Sequence, residues 1–150
     1  MFLQRINKKK VSFFLLTLFL KIIVSLIFSF IASNHDISNK GFDNFSKLEL
    51  FILVSLIAPL TETFFFQLVI NHILETLKIH NLFLKIFLMS IAFSSFHQYN
   101  YLYIMASFLG GILLNNFYLR ISQEKNTAFI STFALHSLYN IVLFTLSFFL

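Results

Sequence analysis

The chain has 150 residues, of which 58% are hydrophobic and 11% charged, with 23 phenylalanines and a mean hydropathy of +0.84. A soluble domain of this size cannot hide so much apolar surface, so most of the chain has lipid as its solvent. The absence of cysteine removes disulfides, thiolate nucleophiles and Cys-based metal sites, and the net charge of +5 is read as falling at the ends of apolar runs, which argues against nucleic acid as a partner.

Apolar windows of about 20 residues predict an all-α integral membrane bundle of about five transmembrane helices, over 11–32, 48–73, 82–96, 101–119 and 128–150. The first follows Arg5, Lys8, Lys9 and Lys10, as a secretory signal would. It is too long for a signal core and ends without a small-x-small site, so it is expected to persist as an uncleaved helix. With the N-terminus cytoplasmic, the inner segments carry Arg5, Lys8, Lys9, Lys10, Lys78, Lys85, Arg120 and Lys125, and the outer ones only Lys40 and Lys47. That asymmetry obeys the positive-inside rule. The abundance of Phe, Ile, Lys and Asn points to an AT-rich bacterial genome and hence to a bacterial plasma membrane.

On the second helix one carboxylate, Glu62, stands three residues after the only proline, Pro59. An acid at that depth costs about 3 kcal/mol on insertion scales and is a functional-site candidate by default. Pro59 lacks an N–H and crowds the carbonyl of Ser55, predicting a bend and a free backbone acceptor that needs a partner in lipid. Thr63 and Gln67 share a face four residues apart, as do His136 and Asn140 on the fifth helix; His97 ends the third, and Asn115 and Asn116 lie on the fourth. Asn71 and His72 are expected at headgroup level, His35 and His80 in solvated breaks, and Glu49, Glu75 and Glu124 as headgroup-level charges. The Phe excess reads as lipid-facing and interhelical packing.

A carboxylate, an imidazole reaching the same water, and a second imidazole with a nearby amide for a developing oxyanion together make a peptide-bond hydrolase. Glu62, His97, His136 and Asn140 supply those groups. Counted at about 1.5 Å per residue, the apparent boundaries nevertheless put Glu62 toward the inner side and His97 near the outer end of its helix. A zinc site from Glu62, His97 and His136 is the alternative, with an open position for water. It lacks an H-E-x-x-H pattern and makes Glu62 both ligand and base, so a mechanism without metal or cofactor needs fewer assumptions. There is no G-x-S-G turn, and Asp36 and Asp43 lie outside the apolar segments, which argues against serine and aspartyl proteolysis.

The same residues resemble a known family. Ala58-Pro59-Leu60-Thr61-Glu62-Thr63-Phe64-Phe65-Phe66-Gln67 is similar to the P-x-x-E-E-x-x-F-R motif of the CPBP intramembrane proteases, which include CAAX prenyl endopeptidases and bacteriocin-processing proteins. Phe93-Ser94-Ser95-Phe96-His97 resembles its F-x-x-x-H motif, Phe108-Leu109-Gly110-Gly111 its glycine-bearing helix, and His136-Ser137-Leu138-Tyr139-Asn140 its H-x-x-x-N motif. The resemblance implies an intramembrane endopeptidase core over 48–150, with 1–47 as a basic segment, an accessory transmembrane helix and an outer loop. It implies that Glu62 and His97 activate water, that His136 and Asn140 stabilise the oxyanion, that Phe93 and Phe66 pack behind His97 and beside the Glu62 turn, and that Gly110 and Gly111 let helices approach.

Two motif positions differ: the second glutamate is Thr63 and the arginine is Gln67. The replacement is electrically matched, and a Thr63–Gln67 hydrogen bond is expected to brace the helix in their place. The implied partners are the lipid bilayer and a membrane-associated or prenylated peptide substrate. The AT-rich bacterial composition favours a bacterial role over true CAAX processing. A non-catalytic bacteriocin-immunity protein of the same fold is the alternative function.

Overall fold

A computed structural model describes residues 8–34, 45–122 and 125–148. The expectations for Arg5, His35, Asp36, Lys40, Asp43 and Glu124 concern positions outside them. Five helices form the bundle: α1 (Lys8–Asn34), α2 (Lys47–Thr76), α3 (Leu82–Ser95), α4 (Tyr101–Ile121) and α5 (Lys125–Leu146). Among the described residues there is no strand. All but α3 are long and apolar enough to cross a membrane. The chain is therefore an all-α, multi-pass membrane protein.

Local sequence explains the helix starts. Ser46 caps α2 through a capping box, its Oγ accepting from Glu49 N–H at 3.3 Å while its own N–H donates to Glu49 Oε2 at 2.8 Å. Asn81 and Asn100 cap α3 and α4 by accepting from the backbone N–H of Leu84 and Tyr103. The short turn between α2 and α3 places Lys78 in the left-handed region, with φ 58°.

α2 is not a uniform α-helix. It widens to π geometry at Leu53–Ile57 and again at Thr63–Val69, on either side of Pro59 and Glu62. In the first stretch Ala58 N–H donates five residues back, to the Leu53 carbonyl. Continued by one residue, that register assigns the Val54 carbonyl to position 59, where proline has no hydrogen to give. The freed acceptor expected at Ser55 is thus at Val54.

α3 packs chiefly on α4, α1 leans on α4 and α5, and α5 closes against α2. Met89, Leu114, Phe117 and Leu135 are almost wholly buried where these helices meet, whereas Phe30, Phe83 and Phe96 present their rings outward, as a lipid-facing surface requires. Near the basic ends, Lys85 donates to Asn71 Oδ1 at 3.1 Å and pairs with Glu75 at 3.4 Å. Asn71, expected among headgroups, is buried in this cluster.

Candidate active site

A cavity of about 1180 Å³ opens within the bundle, lined among others by Glu62, His97, His136 and Asn140. The length of α3 brings His97 to it. With 14 residues this helix covers only about 21 Å, against the roughly 30 Å of a hydrocarbon core. Counted from the Lys78 turn, Glu62 and His97 stand almost equally far up α2 and α3, and so at one depth. The mismatch expected from the apparent boundaries arose from treating residues 82–96 as a full span.

From α2, the Glu62 carboxylate meets two imidazoles, His97 just past the end of α3 and His136 on α5. Its Oε1 lies 3.8 Å from His97 Nε2 and its Oε2 lies 3.5 Å from His136 Nε2. Glu62 is partly open to the cavity, its side chain 22% exposed, while His136 is almost fully enclosed at 4%. These separations exceed ordinary hydrogen bonds, so neither imidazole is hydrogen-bonded directly to the carboxylate.

His97 is oriented from behind. Its Nδ1 is 2.7 Å from the Phe93 carbonyl, and since a carbonyl only accepts, Nδ1 carries a proton and Nε2 is the nitrogen that faces Glu62, an acceptor when the ring is neutral. The Phe93 ring lies against the imidazole with centroids 4.5 Å apart, and Phe66 packs on Phe93 at 5.5 Å.

Asn140 shares its helix face with His136 and donates from Nδ2 to the Val54 carbonyl at 2.6 Å, the acceptor that Pro59 frees. One N–H of the amide is used there, leaving a second, since an Asn amide carries two, on a residue that lines the cavity.

The expected Thr63–Gln67 bond is not made. The π stretch between them has more residues per turn than an α-helix and swings positions four apart off a common face. Thr63 Oγ1 has no hydrogen-bond partner among the described residues. Gln67 instead donates to Asn115 Oδ1 at 2.9 Å, and Asn115 Nδ2 donates to Ser90 Oγ at 3.0 Å, tying α2, α4 and α3 together in a fully buried ladder.

Of the two glycines, Gly111 permits the close approach: an added Cβ there would stand 3.3 Å from Phe93 Cδ1 and 3.5 Å from Ser90 Cα. A Cβ at Gly110 would meet only Lys21 Nζ, at 4.0 Å.

Lys21 was missed by the sequence reading, which placed every cation at the end of an apolar run. It lies midway along α1, only 3% exposed, and lines the same cavity. Its ammonium sits 4.3 Å from the centre of the Tyr139 ring, and it interacts electrostatically with Glu62, His97 and His136. The signal was available: a charge interrupting a hydrocarbon-spanning run is the criterion that singled out Glu62. Tyr139 is held in turn by a hydrogen bond to Ser25 of α1.

Among the described residues no group of three or more His, Cys, Asp and Glu side chains is arranged to hold a metal ion.

The model of the family described as type II CAAX prenyl endopeptidase Rce1-like matches residues 44–142, well over half of the chain. No curated protein and no solved structure matches it.

Proposed function

The chain belongs to the type II CAAX prenyl endopeptidase Rce1-like family, and on that footing we propose that it hydrolyses a peptide bond of a membrane-associated or prenylated-type peptide substrate with a water activated by Glu62 and His97. The family is one of proteases acting in the membrane; the assignment of roles is our reading of the site. The observation that carries it is the convergence of the Glu62 carboxylate on His97 and His136, from three separate parts of the bundle, in one cavity.

In this mechanism Glu62 takes a proton from the water while Nε2 of the neutral His97 ring, an acceptor because Nδ1 carries the proton, orients it. Attack on the carbonyl carbon places negative charge on its oxygen. His136 Nε2–H and the second N–H of Asn140 donate to that oxygen, and the proton on Glu62 passes to the leaving amine as the C–N bond breaks. Phe93 and Phe66 hold His97 in place, Gln67 braces α2, and Thr63 fills the turn beside Glu62. These steps require no metal.

The distribution of Lys and Arg supports a cytoplasmic N-terminus, and the abundance of Phe, Ile, Lys and Asn supports a bacterial plasma membrane. Residues 48–150 form the catalytic core, to which α1 adds one wall of the cavity. No observation favours the non-catalytic immunity role.

The test is Glu62→Gln in proteoliposomes with an S-farnesylated cysteine peptide. Cleavage should fall by about 10²–10⁴-fold while peptide binding persists. Undiminished cleavage would remove Glu62 as the base.

A further inference from the structure

Lys21 has no role in the reaction just described, yet burying an ammonium in the middle of a hydrocarbon span is costly unless an anion answers it. Among the described residues no carboxylate lies within 4 Å of its Nζ. Both oxygens of Glu62, the acid closest to it in effect, face imidazoles instead. The Tyr139 ring covers one side of the ammonium at 4.3 Å, and the small Gly110 leaves another side open. An ammonium has three hydrogens to donate, and Lys21 lines the cavity that also holds the reacting groups.

We infer that Lys21 binds a carboxylate of the peptide substrate, either its free C-terminus or an acidic side chain near it. This rests on the endopeptidase reading above. A CAAX sequence ends its chain, so three residues beyond the prenylated cysteine the peptide terminates in a carboxylate. Three extended residues cover about 10 Å. The ammonium is 4.3 Å from the Tyr139 ring, which is 6.2 Å from the His136 ring, and the two steps in series set an upper limit of comparable length. A scissile bond at Glu62 and His136 therefore leaves the terminal carboxylate within reach of Lys21. Because α1 precedes the matched residues 44–142, this contact is a feature of the chain outside the family's common core.

The experiment uses the full chain in nanodiscs and three probes: an S-farnesylated cysteine followed by three apolar residues as the free acid, the same peptide as the C-terminal amide, and an amide whose last residue is glutamate. Binding and cleavage are measured separately. The unsubstituted protein should bind the acid at least tenfold more tightly than the apolar amide, and Lys21→Met should abolish that preference while Lys21→Arg keeps most of it. Recovery of binding by the glutamate amide identifies any nearby carboxylate as sufficient; no recovery identifies the terminus. Indifference of the unsubstituted protein to all three probes overturns the inference without any variant, as does a preference that survives in Lys21→Met. A Lys21-dependent preference without cleavage would retain the inference and sink the protease reading, whereas cleavage without the preference would do the reverse.

Discussion

Asn140 reaches from α5 to the Val54 carbonyl of α2 at 2.6 Å, and that carbonyl is free because Pro59 stands where its backbone donor would be. One proline thus creates the acceptor that anchors a residue of the proposed oxyanion pocket. In lipid an orphaned carbonyl has no water to turn to, so the pair is coupled: each is costly without the other.

Asn140→Ala should destabilise the protein by about 1–3 kcal/mol, the cost of a buried acceptor left without a partner. In a Pro59→Ala background the restored N–H can bond Val54, and the same change should cost about 1 kcal/mol less. A double-mutant cycle measured by denaturant unfolding in mixed micelles reads the coupling. Additive losses would disconnect the proline from the Asn140 contact.

The glycines separate two kinds of close approach. Gly111→Ala pushes a methyl group to 3.3 Å from Phe93, whose carbonyl and ring set the orientation of His97. Stability should drop by about 1–2 kcal/mol, and kcat should fall with little change in KM as His97 shifts. Gly110→Ala makes only an ordinary contact with Lys21 and should leave the unfolding midpoint nearly unchanged. Thermal unfolding of the two variants side by side, with kinetics on one peptide, tests the order; equal effects would refute it.

These relationships differ in how far the sequence discloses them. Glu62, His97, His136 and Asn140 were legible because polar groups in apolar helices are rare and costly, and because i,i+4 spacing joins His136 to Asn140. The five helices followed from hydropathy alone. The π stretches were not legible, since their cause is the fit of α2 to its neighbours and not any local propensity. They moved the freed carbonyl from Ser55 to Val54 and turned Gln67 from Thr63 toward Asn115. Lys21 was hidden by the strength of the apolar run around it, and its neighbours come from α4 and α5, far along the chain.

Metal removal distinguishes the two ways in which one carboxylate and two imidazoles can activate water. With Glu62 as the base, incubation with 1,10-phenanthroline should leave the rate of peptide cleavage unchanged, and added zinc should not raise it. A loss of activity that zinc restores would transfer Glu62, His97 and His136 to the role of ligands.

The Gln67–Asn115–Ser90 ladder stands where the motif's arginine would place a charge, and its behaviour on substitution should be that of a neutral network. Asn115→Leu leaves the Gln67 amide and the Ser90 hydroxyl without that partner in a fully buried position, at a cost of about 2 kcal/mol. Gln67→Met alone strands Asn115 Oδ1 and should cost about 1 kcal/mol, in the range found for interhelical hydrogen bonds in membranes. The double variant removes both partners at once, so its loss should be smaller than the sum of the two, by about 1 kcal/mol. A charged pair would behave differently, since removing one member leaves an ion in hydrocarbon and costs about 3–5 kcal/mol. Unfolding of the four proteins in mixed micelles decides between them: a single-variant loss in the ionic range, or strict additivity, would contradict a neutral brace between α2 and α4.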